Sequence, residues 1–264
     1  MANKKRLDVL VHERGLAETR SKAQAYIMAG EVYVDGQRVD KAGTKFTDSV
    51  LITVKDRPPF VSRGGEKLAG ALADFEYDPS GLMCADVGAS TGGFTDCLLQ
   101  RGVKRVYAID VGYGQLAYKL RQDDRVVVLE RTNARYLEAL EEAVTLAVVD
   151  ASFISLELLL PAIQKWLTPD ADIIALIKPQ FEAGKEEVGK GGVVKDEDTH
   201  ARVIREVAQC AIGLGFTICG LTVSPIKGLK EGNTEFLIWL HQGVSICEAT
   251  PDLDILIADA LARA

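Results

Sequence analysis

The chain has 264 residues, of which 47% are hydrophobic and 26% charged, so it can bury a core and is not a disordered chain. Its longest apolar runs, near 156–163 and 173–177, are far shorter than the roughly 18 residues that a membrane span needs. Residues 1–14 lack the apolar stretch of a signal peptide. We therefore expect a cytoplasmic protein that does not associate with a membrane.

The net charge of −7 is divided unevenly along the chain. Residues 1–60 contain 11 Lys/Arg and 8 Asp/Glu, a net charge of +3, whereas the other residues contain 20 and 30, a net charge of −10. This asymmetry favours a basic attachment module joined to an acidic body. The alternative is that an excess of three cations in 60 residues arises by chance.

The cysteines and histidines give no metal-binding pattern. The cysteine count is odd, no C-x-x-C pair occurs, and the three histidines are dispersed. We predict reduced thiols and no metal site. The cysteines are Cys84, Cys97, Cys210, Cys219 and Cys247.

A proline-rich stretch separates two parts of the chain. Pro58 and Pro59 fix the backbone and remove two hydrogen-bond donors, so neither a helix nor a central strand can continue through them. We predict a linker at about 55–62, an N-terminal domain over 1–60 and a C-terminal domain over 63–264.

The N-terminal part predicts two helices followed by a hairpin. A first helix begins at Leu7 and ends near Gly15, and a second ends at Gly30. Two short alternating segments then flank Asp35-Gly36, which is a strong tight-turn signal, and a further strand covers 50–54.

This helix–helix–hairpin block resembles the small RNA-binding domain named after ribosomal protein S4 over about residues 5–54. The resemblance implies that cations on the two helices meet an RNA backbone, since phosphate contacts need only positioned positive charge. The matching candidates are Arg6, Arg14, Arg20 and Lys22. The alternative is a solvated helical face.

In the C-terminal part, apolar strands alternate with helical stretches. This alternation predicts an α/β fold with a parallel, doubly wound sheet. The last two strands are joined by 224–233, which is too short for a crossover helix, so the last strand should be antiparallel. The predicted strands are 83–87, 105–109, 126–129, 146–149, 173–177, 216–223 and 236–240.

The most informative segment is the glycine-rich turn after the first of these strands. Asp86 lies near the end of the strand, the turn opens a helix, and Asp110 stands at the tip of the next strand. Such a turn lets a ligand approach the backbone, and an acid at the second strand can accept the ribose hydroxyls of a nucleoside. We predict an adenosine-containing cofactor here, bound by Gly88, Ser90, Gly92, Gly93 and Phe94 together with the two acids.

Three other motifs compete for this interpretation. Residues 88–92 spell the G-x-S-x-G of serine hydrolases, but that elbow needs several preceding strands. Residues 184–190 imitate a phosphate loop, yet Gly191 stands where a magnesium-binding hydroxyl is required. The third alternative is that the glycine-rich turn binds NAD. We favour S-adenosylmethionine because a carboxylate at Asp86 suits an ammonium group, which NAD lacks.

Four charged residues stand at strand ends or helix starts that can share one edge of the sheet: Lys67, Asp150, Lys178 and Glu235. A lysine beside a second cation and partly desolvated can act as a general base. We predict that Lys178 deprotonates a ribose 2′-hydroxyl, that the other three residues position it, and that no metal is required. The alternative is that each is a surface charge.

The body resembles the FtsJ-like ribose 2′-O-methyltransferases, whose Lys-Asp-Lys-Glu tetrad matches these four residues in order and context. With the N-terminal module, the chain is similar to the TlyA family of rRNA (cytidine-2′-O)-methyltransferases, historically called haemolysins. The resemblance rests on the segments 61–68, 86–95, 110–116, 130–133, 178–182 and 231–235.

The resemblance implies a Rossmann-like class I methyltransferase domain that acts as a monomer on ribosomal RNA in ribosomal subunits. It also implies that Asn133 lies near the adenine, Val111 beside the donor, Arg63 near the RNA and the loop 184–192 near substrate. Lys227 and Lys230 are further RNA candidates around the crevice. Two rival functions remain: a non-catalytic RNA-binding or ribosome-assembly factor, and a membrane-lytic protein.

Overall fold

The computed structural model describes residues 4–17, 19–55, 58–184, 186–189, 191–228, 232–244 and 252–264. The chain divides into two compact units, Met1–Arg57 and Pro58–Ala264. Among the described helices, none combines the length and apolar character needed to cross a membrane.

The N-terminal unit combines two helices with short strands in its described residues. Its elements are β1 (Lys4–Arg6), α1 (Leu7–Glu13), α2 (Arg20–Met28), β2 (Val32–Val34), β3 (Gln37–Arg38), β4 (Lys45–Thr47) and β5 (Ile52–Val54).

The predicted hairpin is confirmed in the N-terminal unit. Strands β2 and β3 pair antiparallel around Asp35 and Gly36, whose φ angles of 49° and 79° are those of the tight turn that this dipeptide favours. Strand β5 pairs with the other edge of β2. The pairing of β1 with β4 was not predicted, because each strand has only three residues and neither alternates clearly.

The C-terminal unit alternates strands and helices along the chain. Its strands are β6 (Met83–Val87), β7 (Arg105–Ile109), β8 (Val126–Leu129), β9 (Val144–Val149), β10 (Leu167–Ile177), β11 (Thr217–Val223) and β12 (Phe236–Gln242). Its helices are α3 (Gly64–Asp74), α4 (Gly93–Gln100), α5 (Tyr118–Arg121), α6 (Leu156–Ile163), α7 (Pro179–Glu182), α8 (Glu197–Gly213) and α9 (Leu253–Ala262).

The described strands of this unit form a seven-stranded sheet in the order β11-β12-β10-β9-β6-β7-β8. Strands β10, β9, β6, β7 and β8 run parallel to one another, whereas β12 is antiparallel to both of its neighbours. The predicted doubly wound sheet with an antiparallel last strand is therefore confirmed.

Helices cover both faces of this sheet, which explains why its central strands are apolar at most positions. In β9, Leu146 and Val148 belong to the core beneath α3 and α4, while Ala147 and Val149 belong to the core beneath α6 and α8. Most polar side chains therefore lie at strand ends and in loops, and the buried Asp86 of β6 is an exception.

Two predictions need correction. Strand β10 begins at Leu167 rather than Ile173, because a register shift lets its polar first half continue beside β9.

Cys84, Cys97 and Cys210 are free thiols, but Cys219 is disulfide-bonded, so the expectation of reduced thiols throughout was wrong. A disulfide depends on proximity in space, which sequence spacing does not reveal. Cys247 lies outside the described residues.

Candidate active site

The carboxyl ends of β6, β9 and β10 meet at one edge of the sheet, where a cavity of about 860 Å³ opens. The cavity lies within the C-terminal unit. Its lining contains all four members of the predicted tetrad, which are Lys67, Asp150, Lys178 and Glu235. It also contains Asp86, Gly88, Ser90, Gly93 and Phe94 from the glycine-rich turn.

The tetrad consists of two lysine–carboxylate pairs. Lys178 Nζ lies 2.6 Å from Asp150 Oδ1, and Lys67 Nζ lies 2.5 Å from Glu235 Oε2. Both lysines and Glu235 are buried. Buried charges persist only when they are paired, and here each cation has its own carboxylate.

Lys178 Nζ is surrounded by oxygen atoms of the segment after β9. Besides the Asp150 carboxylate, it donates to the carbonyls of Asp150 (3.3 Å) and Ala151 (3.0 Å) and to Ser152 Oγ (2.9 Å). An ammonium has three protons, so its donor capacity is fully used in this arrangement. The nitrogen is thereby held at a fixed point beside the cavity.

Gln180 is a polar residue of the cavity that the sequence analysis did not single out. Its Nε2 donates to Glu235 Oε1 at 3.3 Å, and because a carboxylate only accepts, this contact fixes the orientation of the amide. Gln180 Oε1 is buried and has no hydrogen-bond partner among the described residues. It is therefore an acceptor available to a ligand.

The glycine-rich turn passes close to the backbone after β9. Gly88 has a φ of 85°, and a Cβ there would lie 2.8 Å from the Asp150 carbonyl oxygen, so only glycine fits. Gly92, with a φ of 95°, packs under leucine side chains and is not part of the cavity lining. The ring of Phe94 is buried in the core and positions the start of α4.

Asp86 is fully buried beneath this turn. Its Oδ2 accepts hydrogen bonds from Thr95 N (2.9 Å) and Thr95 Oγ1 (2.6 Å), while Oδ1 meets no donor in the described part of the chain. Burial raises the pKa of Asp86 to about 7, and the negative charges of Asp150 and Asp110 add to this. A buried acceptor of this kind suits a cationic group of a ligand.

The remaining predicted cofactor residues lie outside the cavity lining, at the ends of the neighbouring strands. Asp110 accepts from the backbone N–H groups of Ser90 (2.8 Å) and Gly112 (2.6 Å), which fixes its carboxylate beside the turn. Val111 is 69% exposed. Asn133 is also exposed, and its side chain accepts from Arg135 N at the start of a short 3₁₀ helix.

A second glycine-rich segment, 186–189 and 191–192 in its described parts, contributes to the cavity and is fixed by Asn233. Asn233 Nδ2 donates to the Gly192 carbonyl (2.8 Å), and its Oδ1 accepts from Val194 N (3.0 Å). From the sequence, Asn233 was noted only as part of the segment 231–235. The position of Asn233 two residues before Glu235 was the sequence feature that could have indicated a role at the cavity. Lys185 and Lys190 lie outside the described residues.

Comparison with known families assigns both units. Residues 60–242 match the model of the FtsJ-like methyltransferases, and residues 5–52 match the S4 domain. The chain is 49% identical to the 16S/23S rRNA (cytidine-2′-O)-methyltransferase TlyA of Mycobacterium tuberculosis over 91% of each chain. It is 45% identical to hemolysin A of Brachyspira hyodysenteriae over 88% of this chain and 98% of the relative.

The chain belongs to the TlyA family of FtsJ-like methyltransferases. The predicted resemblance is thereby confirmed, as is the prediction that the chain is a methyltransferase. A solved hemolysin structure from Streptococcus thermophilus covers 98% of the chain and is covered to 96%, with 44% identity and a TM-score of 0.72. The fold is shared with a solved S-adenosylmethionine-dependent methyltransferase from Mesorhizobium loti, with 13% identity and a TM-score of 0.51. The match covers 66% of this chain and 96% of that one.

The family assignment agrees with the geometry around the competing motifs. Ser90 Oγ donates to Gln115 Oε1 at 3.3 Å. Ser90 follows the first strand of its sheet along the chain, whereas the nucleophile of a serine hydrolase follows several strands. In the segment resembling a phosphate loop, Glu187 accepts from Gly184 N, so a carboxylate occupies the place that a phosphate would need. No group of three metal-ligating side chains occurs among the described residues.

The predicted RNA-binding cations of this TlyA-family chain have different surroundings. Arg6 and Arg20 donate to the buried carboxylate of Asp8. Burial alone would raise the pKa of Asp8, but hydrogen bonds from Arg6, Gln24 and Arg20 hold it well below its usual range. These two arginines are therefore partly structural, with their outer faces exposed.

Two other candidates also make backbone contacts. Arg14 donates to the carbonyls of Val50 (2.7 Å) and Asp48 (2.8 Å). Arg63 lines the cavity and donates to the carbonyl of Lys227 at 3.0 Å. Lys22 lies on an exposed part of α2, and Lys230 lies outside the described residues.

Proposed function

We propose that this chain transfers the methyl group of S-adenosylmethionine to the ribose 2′-hydroxyl of a cytidine in ribosomal RNA. The observation that carries the proposal is the presence of two lysine–carboxylate pairs in one cavity beside the glycine-rich turn. The names of the TlyA relatives, which specify rRNA and cytidine, support the choice of substrate. Such a substrate would place the protein in the cytoplasm.

The residues beside the turn fit S-adenosylmethionine. When bound, it supplies an electrophilic methyl group on a positively charged sulfur. The unpartnered Asp86 Oδ1 would accept from its ammonium group, directly or through water. Asp110 is fixed by two backbone N–H groups at the position where an acid receives ribose hydroxyls, and by family resemblance Asn133 and Val111 would border the adenine.

Lys178 would act as the general base. It must first release a proton to solvent. Oxygen acceptors around Nζ stabilise the ammonium form, so a sugar that displaces some of them favours this release, as does the cation of Lys67 in the same cavity. The amine then takes the 2′-hydroxyl proton as the ribose oxygen bonds to the methyl carbon and the carbon–sulfur bond breaks. Lys178 ends as an ammonium paired with Asp150.

The other tetrad members would position the reacting groups. Asp150 holds Lys178, and Glu235 holds Lys67, whose charge can stabilise the developing negative charge on the ribose oxygen. Neither carboxylate needs to change its protonation state. Reaching a ribose in folded RNA requires that the target nucleotide be extruded locally.

Incubating the protein with S-adenosylmethionine carrying a labelled methyl group and with isolated small and large ribosomal subunits tests this function. We expect label in rRNA, recovered after digestion as 2′-O-methylcytidine. Recovery of the label on a base would contradict the reaction. Absence of label from both subunits would favour the non-catalytic RNA-binding alternative.

Removal of residues 1–57 should weaken binding to rRNA at least tenfold and reduce its salt dependence, because the basic S4 module would supply phosphate contacts in addition to those of the acidic body. Affinity for the donor should stay within twofold, since the cavity lining lies within residues 62–235. Filter binding and calorimetry measure the two affinities. Unchanged RNA affinity, with donor binding intact, would contradict an RNA-attachment role for the module.

A further inference from the structure

Two segments that carry tetrad residues contact each other at several points. Lys178, just before α7, donates to the loop that follows β9. The ring of Phe181 in α7 packs against that of Phe153 in this loop, with centroids 4.8 Å apart. At the far end of the loop, Glu182 Oε1 accepts a hydrogen bond of 2.9 Å from Leu156 N, at the first residue of α6.

The contact from Glu182 satisfies a backbone N–H group at the start of α6 that the N-cap side chain does not bond. Ser155 is already the N-cap, because its Oγ accepts from Glu157 N at 3.1 Å. The nearby Ser155 hydroxyl lowers the pKa of Glu182. Glu182 therefore links α7 to the end of the loop through the backbone N–H group of Leu156.

The loop between β9 and α6 needs support from outside itself. It contains no regular secondary structure, and Phe153 adopts a φ of 64°, which is strained for a bulky residue. Its first residues provide the carboxylate, carbonyl and hydroxyl oxygens around Lys178. A shift of its C-terminal end would move these oxygens.

The environment of Glu182 indicates that its shape matters more than its charge. Burial raises the pKa of Glu182, the hydrogen bonds from Ser155 and Leu156 lower it, and the negative charges of Glu157 in α6 and Glu206 in α8 raise it. An amide of the same shape can supply the same acceptor oxygen.

We infer that Glu182 is a positioning residue for methyl transfer, which fixes the loop 150–155 and thereby the oxygen atoms that hold Lys178. This inference rests on the proposed function for its catalytic consequence. Glu182 itself does not line the cavity and touches neither the reacting atoms nor the donor site.

The test compares full-length Glu182→Ala, Glu182→Gln and the control Glu157→Ala, which removes an exposed carboxylate in the first turn of α6. We expect Glu182→Ala to lower kcat about tenfold, to leave KM for the donor within twofold and to speed hydrogen exchange in peptides covering 151–156. Glu182→Gln and Glu157→Ala should match wild type in kcat, in KM for the donor and in the rate of hydrogen exchange.

Unchanged exchange in Glu182→Ala would overturn the inference, as would faster exchange with unchanged kcat. A parallel loss of kcat and donor affinity would show general damage and would overturn it as well. If wild type transfers no methyl group to rRNA, the proposed function fails and the catalytic consequence with it. The exchange measurement then still decides whether Glu182 fixes the loop.

Discussion

Replacing Lys178 by methionine is expected to lower kcat about 1,000-fold, because general base catalysis contributes roughly 10²- to 10⁴-fold to a rate. Methionine keeps an unbranched chain of similar length but cannot take a proton. The affinity for S-adenosylmethionine should stay within threefold, since Lys178 pairs with Asp150 and loop oxygens rather than with the glycine-rich turn. Single-turnover methyl transfer and calorimetry measure the two quantities.

Two further variants identify the reason for the loss. Lys178→Arg keeps the charge and the hydrogen bonds to Asp150 but stays protonated, so it should be as inactive as the methionine variant. Lys165→Met removes an exposed lysine paired with Glu138 and should leave kcat unchanged. Substantial activity in Lys178→Arg would assign the residue an electrostatic role and refute its role as base.

The tetrad could be predicted because each member stands where a regular element begins or ends. Lys178 follows a strand that is apolar up to Ile177, and Asp150 follows Val149 in the same way. In a parallel sheet the carboxyl ends of all strands lie at one edge, so residues that follow these strands can be predicted to lie close together in space. The apolar parts of the central strands were placed correctly for the same reason, since burial on both faces makes them predominantly apolar, whereas the polar first half of β10 was missed.

The residues that sequence reasoning missed depend on contacts between irregular segments. Asn233 bonds to Gly192, 41 positions away, and Glu182 bonds to Leu156, 26 positions away. No periodicity connects such pairs. Arg6 and Arg20 show the converse case, because their sequence positions match RNA-binding cations, yet only the fold shows that both donate to the buried Asp8.

Asp86→Asn should stabilise the ligand-free protein at alkaline pH. The folded carboxyl has its pKa raised to about 7 by burial, against 3.8 as the ordinary value, so the folded protein keeps a proton that the unfolded chain has lost. Stability is therefore lost as pH rises from about 4 to about 7, and asparagine has no such titration. Thermal or urea unfolding should show the difference between variant and wild type growing by about 3 kcal/mol from pH 5 to pH 8.5 in favour of the variant.

The same substitution should weaken S-adenosylmethionine binding about 100-fold at pH 7.5, because it removes the charge that an ammonium would meet. Asp96→Asn is the matched control. Asp96 is also buried in α4, but it accepts from Val61 N and from Lys119, so its loss should destabilise the protein at both pH values. Equal destabilisation by both variants, with donor affinity preserved in Asp86→Asn, would show that Asp86 is structural. If Asp86 serves to bind a cationic ligand, Asp86→Asn should gain stability and lose donor affinity. Burial of the Asp86 carboxylate destabilises the free protein, and the bound cation offsets that free-energy cost.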